Sequence, residues 1–146
     1  MLVQNLPSSQ KFIPCWMQRI FLVLFFNTIL ISCMNPTQYQ YADGSANLYI
    51  ITPDSLEYVP VKPAESSTGM YSGGDPKKVA LKTEEFRNVR ALVEAAKKNH
   101  AVHIPDRIKT SGMITTISGT EKTHFILKPG CKEITDIETR LKKLLQ

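Results

Sequence analysis

Residues 112–127 read GMITTISGTEKTHFIL, and this stretch decides the class of fold that we expect. Two runs rich in β-branched and apolar residues, Gly112 to Ser118 and Lys122 to Leu127, lie on either side of Gly119-Thr120. Two strand-forming runs separated by a short turn with a glycine are typical of a β-hairpin. The stretch therefore predicts an antiparallel pair of strands in the second half of the chain.

A second hairpin is predicted upstream of the first. Leu48 to Thr52 (LYIIT) and Leu56 to Val61 (LEYVPV) are strand-like, and Pro53-Asp54-Ser55 between them has the chemistry of a turn. Pro60 cannot donate a hydrogen bond to a neighbouring strand, so its position suggests an edge strand. Residues 63–76, which are rich in glycine and serine, predict a long loop after this hairpin.

Two helices complete the predicted fold. Thr83 is a suitable N-cap for a helix over 84–98, in which apolar residues recur on one face. A C-terminal helix follows from the stripe formed by Ile134, Ile137, Leu141 and Leu144. The order β-β, loop, α, β-β, α predicts an α+β fold, in which a small antiparallel sheet of two hairpins is covered on one face by two helices.

The N-terminal segment has a different character. Ile20 to Cys33 is a nearly uninterrupted apolar run of 14 residues, preceded by Lys11 and Arg19 and by no acidic residue. Spanning a bilayer takes about 20 apolar residues, so a stable transmembrane helix is disfavoured. A positive N-terminus followed by a short apolar stretch is typical of an export signal.

Leu30-Ile31-Ser32-Cys33, at the end of this run, resembles the lipobox of bacterial lipoproteins. The resemblance covers about the first quarter of the chain. It implies that residues 1–32 are a signal peptide, with Met17 as an alternative start, and that Cys33 carries diacylglycerol and further acyl chains such as palmitate. Met34 is not the aspartate that retains some lipoproteins in the inner membrane, which favours the outer membrane in a two-membrane host. An uncleaved signal anchor is the alternative, and it also places the remaining chain in an exported compartment.

Removing residues 1–32 changes the charge and cysteine content. The processed chain has 16 basic and 13 acidic residues, a net charge of +3, with the two signs interspersed. Nucleic-acid binding is therefore not expected. Cys131 is then the one cysteine besides Cys33, so no intramolecular disulfide is expected. We expect residues 33–46 to be the lipidated cysteine with a polar tether, and residues 47–146 to form the small α+β domain.

The candidate recognition loop is residues 66–75, SSTGMYSGGD. Its small residues and its aromatic side chain suit adaptable contacts, and the candidates within it are Tyr71, Ser72, Gly73 and Gly74. The loop lacks the spacing of a phosphate-binding loop, and a turn in an exposed connection is the simpler interpretation. Arg107 and Lys109 form a second candidate, two cations that could face an acidic partner.

Three histidines and Cys131 are the candidates for metal binding and catalysis. His100, His103 and His124 match no metal-binding spacing, and the pattern favours solvated histidines. Cys131 with His124 would suggest thiol catalysis, but no third, orienting group is identifiable, and lone thiols are more often buried and inert. We predict no catalytic residue, metal or cofactor.

These features together predict a lipid-anchored protein of the cell envelope. Its small domain is expected to bind or support another envelope protein without catalysis, facing the periplasm or the exterior. The alternative function is that of a small membrane-tethered enzyme, a hydrolase or a thiol-dependent enzyme.

Overall fold

The computed structural model describes residues 38–66 and 68–146, which form a seven-stranded antiparallel sheet and two α-helices. The strands are β1 (Gln38–Ala42), β2 (Leu48–Ile51), β3 (Ser55–Val59), β4 (Lys77–Ala80), β5 (His103–Ile104), β6 (Gly112–Ser118) and β7 (Glu121–Leu127), and the helices are α1 (Thr83–Lys98) and α2 (Lys132–Leu144). In the sheet the strands follow the order β4-β3-β2-β1-β6-β7-β5. The α+β class is confirmed, but the sheet is larger than the two predicted hairpins.

Strand β1 lies at the centre of the sheet, between β2 and β6. It falls within residues 33–46, for which the sequence predicts a polar tether, so that interpretation does not hold for residues 38–42. The segment QYQYA alternates polar and aromatic residues, and Tyr39 and Tyr41 on one face are fully buried. Period-two alternation places every second side chain on the same face of a strand. The predicted signal peptide and Cys33 lie outside the described residues.

Both predicted hairpins are present. β2 pairs with β3, and β6 pairs with β7, each in antiparallel register. Pro60 does not mark an edge strand, because it follows the end of β3 and β3 is covered on its other side by β4. The edge strands are β4 and the two-residue β5.

Both helices have bounds close to those predicted. α1 begins at Thr83, and Lys82, rather than Thr83, is its N-cap residue. The Lys82 N–H donates to the Glu85 carboxylate at 2.9 Å, which satisfies one of the free donors at the helix start. The helix ends at Lys98, as predicted, and its C-cap residue is Asn99.

The helices pack on the face of the sheet that carries Tyr39 and Tyr41. The Tyr39 hydroxyl donates to Glu94 of α1 at 3.3 Å, and the Tyr41 hydroxyl donates to Glu138 of α2 at 3.0 Å. Burial, reinforced by the negative charge of Glu94, raises the pKa of Tyr39 to about 12. Burial and the charge of Glu138 also raise the pKa of Tyr41. Each hydroxyl therefore stays protonated and links the central strand to a different helix.

The hydrophobic core lies between these helices and the sheet. Apolar side chains from both helices, including Val93 and Leu141, pack with Ile114 and Leu127 from the second hairpin. Full burial of a leucine side chain contributes roughly 1.5–3 kcal/mol. No helix within residues 38–66 and 68–146 is long and apolar enough to cross a membrane.

Three loops meet at one end of the sheet because neighbouring strands are antiparallel. β1 and β3 end there, and β2, β4 and β6 begin there. The connections at that end are residues 43–47, residues 60–76 and the segment 105–111. The topology thus places both candidate recognition segments beside the turn between β1 and β2.

Candidate functional site

The three loops line an open cleft of about 830 Å³, which we call the three-loop cleft. Ligand pockets commonly have volumes of about 300–1,000 Å³, so the cleft is large enough for a small ligand or for a segment of a partner. Its lining residues are Gly44, Ser45, Ala46, Val61, Glu65, Ser66, Thr68, Tyr71, Arg107 and Lys109. Residues of the two segments singled out in the sequence therefore line the same cleft.

Asn47 holds two of the loops together beneath the cleft. Its side chain is 4% exposed, and its amide nitrogen donates to the Tyr71 hydroxyl at 3.0 Å and to Asp43 Oδ2 at 2.9 Å. Its amide oxygen accepts a hydrogen bond from the Val61 N–H at 3.1 Å. A buried amide with its donors and acceptor paired fixes the groups around it. Tyr71 is therefore anchored at its hydroxyl.

The turn between β1 and β2 is shaped by Asp43. Its carboxylate accepts hydrogen bonds from the backbone N–H groups of Ser45 and Asn47, at 2.8 and 3.0 Å. Aspartate stabilises turns in this way by bonding to backbone groups a few residues ahead. Ala46 in this turn has a φ of 67°, a conformation that L-residues seldom adopt.

A hydrogen bond connects the segment containing Arg107 to the same turn. Arg107 Nη2 donates to the Asp43 carbonyl oxygen at 2.7 Å. Thr110 has a φ of 66°, and a Cβ added at Gly44 would lie only 2.6 Å from Thr110 Cα. Position 44 therefore needs glycine, because the backbones of the two loops approach closely there.

The predicted recognition residues have different environments. Tyr71 lines the cleft, whereas Gly73 is a packing residue whose carbonyl accepts the Tyr58 hydroxyl at 2.7 Å. The Gly73 N–H donates to the Val61 carbonyl at 3.1 Å, and an added Cβ would overlap the Asn47 side chain. Ser72 and Gly74 are exposed and do not line the cleft.

Exposed apolar side chains concentrate at this end of the sheet. Among the described residues, the large hydrophobic side chains that are exposed are Val59 (37%), Met70 (86%), Tyr71 (40%) and Ile108 (54%). Tyr71 lines the cleft, Met70 and Ile108 lie in two of its loops, and Val59 ends the strand that leads into it. Apolar groups clustered on a surface are typical of an interaction site.

The charged groups of the cleft are Arg107, Lys109 and Glu65. Neither cation is in an ion pair with any residue that the structure describes. Glu65 Oε2 accepts a hydrogen bond from the Lys62 N–H of its own loop at 3.3 Å. Burial and then the charge of Asp43 raise the pKa of Tyr49 and Tyr58, so both hydroxyls stay protonated.

The histidines are divided between the two faces of the sheet. The rings of His100 and His103 meet with centroids 5.2 Å apart, and His103 stacks on Phe125 and hydrogen-bonds the Ala96 carbonyl at 2.9 Å. His124 neighbours Phe125 in β7, so its side chain is on the opposite face. In the described parts of the chain, no group of three His, Cys, Asp or Glu residues could hold a metal ion.

Cys131 is the N-cap residue of α2 and is 6% exposed. It belongs to the core on the helix side, whereas His124 is on the other face of the sheet. The structure therefore does not bring together the pair that the sequence offered for thiol catalysis.

No protein-family model matches the chain, and no curated protein or solved structure is significantly similar to it. The geometry of the three-loop cleft is thus the basis for a functional proposal.

Proposed function

We propose that the chain is a lipid-anchored protein of the bacterial cell envelope whose α+β domain binds another envelope component without catalysis. The anchor is Cys33, on the resemblance of residues 30–33 to a lipobox. The binding surface is the three-loop cleft. The observation that carries the binding role is the concentration of exposed apolar side chains around that cleft.

The composition of the cleft supports binding to a macromolecule. Tyrosine, methionine and arginine are enriched in protein interfaces, and Tyr71, Met70 and Arg107 are all present at the cleft or in its loops. Tyr71 is also held by Asn47, and an aromatic ring that is fixed before binding loses less conformational entropy on contact.

The anchor is tested by the intact mass of the membrane-extracted protein from its host. A species that begins at Cys33 and carries the mass of diacylglycerol and an acyl chain is expected, and a Cys33→Ser chain should lack it. An uncleaved chain without lipid would refute the anchor, and would favour the signal-anchor alternative.

The binding role is tested by photo-crosslinking in the host. A photoreactive amino acid is placed at Met70, in a loop of the cleft, and at Thr139, an exposed position on α2 that serves as the matched control. Adducts are expected from position 70 alone, and Asn47→Ala should reduce them because it frees Tyr71. Equal yields at both positions, or none at position 70, would contradict the proposal.

The enzyme alternative is separated by single substitutions of Cys131, His103 and His124. Each should leave the position-70 adducts intact. A substitution that abolished a turnover reaction of the protein would instead favour catalysis.

A further inference from the structure

We infer that the three-loop cleft binds an acidic protein segment, in which a carboxylate lies next to an apolar side chain. This inference rests on the proposed binding function and names the class of partner. It is carried by the juxtaposition, on the same three loops, of exposed apolar side chains with two cations that form no ion pair with any residue that the structure describes.

Two cations, Arg107 and Lys109, and one carboxylate, Glu65, line the cleft, so positive charge predominates there. Of the donors on Arg107, Nη2 is bonded to the Asp43 carbonyl, and Lys109 Nζ makes no hydrogen bond or ion pair with any residue that the structure describes. The nearby carboxylates are in part engaged already: both oxygens of Asp43 accept hydrogen bonds from the turn, and Glu65 Oε2 accepts one from Lys62. The complementary ligand group therefore carries a negative charge and accepts several hydrogen bonds. A carboxylate has both properties.

The apolar groups beside these cations favour a polypeptide ligand. Met70 and Tyr71 lie in the loop of residues 60–76, and Ile108 lies in the segment 105–111. All three side chains are exposed, and Tyr71 lines the cleft. Methionine adapts its shape to varied apolar partners, and tyrosine supplies contact area with few rotatable bonds. A simple anion such as phosphate would leave these side chains without a partner.

The test uses the full chain in nanodiscs of zwitterionic lipid and a fluorescently labelled peptide of alternating Asp and Leu. Binding is followed by fluorescence anisotropy, with a matched Asn-Leu peptide and with empty nanodiscs as controls. The Asp-Leu peptide should bind more tightly than the Asn-Leu peptide, and added salt should reduce this difference. Lys109→Gln should weaken the Asp-Leu peptide about fivefold and leave the Asn-Leu peptide unchanged.

The matched control for Lys109→Gln is Lys98→Gln, an exposed lysine at the end of α1. It should leave both affinities unchanged. Lys109 is exposed, and its hydrogen bond to Thr110 is made by its backbone carbonyl, so substitution of its side chain tests the charge rather than folding. Arg107→Gln should also weaken the Asp-Leu peptide, although it removes the bond to Asp43 as well.

The inference is overturned if the Asp-Leu peptide fails to bind, binds no better than the Asn-Leu peptide, or is weakened equally by the two lysine substitutions. Preferential binding of a glucuronate oligosaccharide, or of vesicles of anionic lipid, would also overturn it in favour of another class of ligand. These outcomes are distinct from failure of the proposed function. If the proposed binding function fails, position 70 gives no adducts. If only the inference fails, position 70 still gives adducts but acidic peptides are not preferred.

Discussion

Replacing Asn47 by alanine tests whether this residue holds the three-loop cleft together. The substitution removes three hydrogen bonds of a buried side chain, to Asp43, Tyr71 and Val61. A hydrogen bond contributes about 1 kcal/mol net to stability, so the loss sums to about 3 kcal/mol. For a domain of this size we expect the melting temperature to fall by roughly 10 °C.

The measurement is urea unfolding of the full chain, followed by circular dichroism. The control is Asn99→Ala, because Asn99 is exposed and its side-chain amide donates a hydrogen bond to the exposed end of Glu133 at 2.7 Å. Surface substitutions usually change stability by less than about 0.5 kcal/mol. The midpoint for Asn47→Ala should therefore fall well below that for Asn99→Ala.

A double-mutant cycle isolates the contact with the recognition loop. Tyr71→Phe removes only the hydroxyl that accepts from Asn47. Combined with Asn47→Ala, it should reveal a coupling of about 1 kcal/mol. If Asn47→Ala cost no more than Asn99→Ala, or if the cycle showed no coupling, the assignment of Asn47 as the residue that joins the loops would be refuted.

Three further substitutions, one of them with a control variant, test other parts of the structure. The raised pKa of Tyr39 stabilises the fold fully below the unfolded pKa of 10, and this contribution is lost as the pH rises from 10 through about 12. Tyr39→Phe should therefore reduce the loss of stability that urea unfolding measures over that pH range. Gly73→Ala should cost about 1–3 kcal/mol in the same assay, because its Cβ would lie 2.8 Å from Pro60 Cβ, whereas Met70→Ala should cost less than about 0.5 kcal/mol. Leu141→Ala should cost about 2–5 kcal/mol by leaving a cavity under α2, and a cost below about 1 kcal/mol would show that this position is not in the core.

The hairpins and helices were predictable from the sequence because each has a local pattern. Residues 112–118 and 122–127 surround a clear turn, and helix 84–98 repeats apolar residues at the helical period. β1 was missed because its QYQYA pattern is surrounded by turn-forming and polar residues, which dominate the composition of residues 34–46. β5 has two residues and carries no periodic signal of its own.

The candidate site was predicted in part. Tyr71 and the pair Arg107 and Lys109 were recognised separately, but only the sheet topology shows that they face one cleft. Asn47 was missed because its amide joins the loops through hydrogen bonds to Tyr71 and Val61, which lie far along the chain. Asp43-Gly44-Ser45 is typical of a turn, and this pattern was interpreted as part of the polar tether predicted for residues 33–46.

The central position of β1 has a consequence for the folding pathway. β2 and β3 follow β1 closely and can pair with it early, but its other neighbour, β6, comes only after β4, α1 and β5 have been synthesised. Until β6 arrives, one side of β1 is an unpaired edge in which Tyr39 and Tyr41 lack their final neighbours. Non-local strand pairing is slow, and open edges promote aggregation. Until residues 112–118 have been synthesised, the nascent chain therefore carries an open strand edge where the centre of its sheet will form.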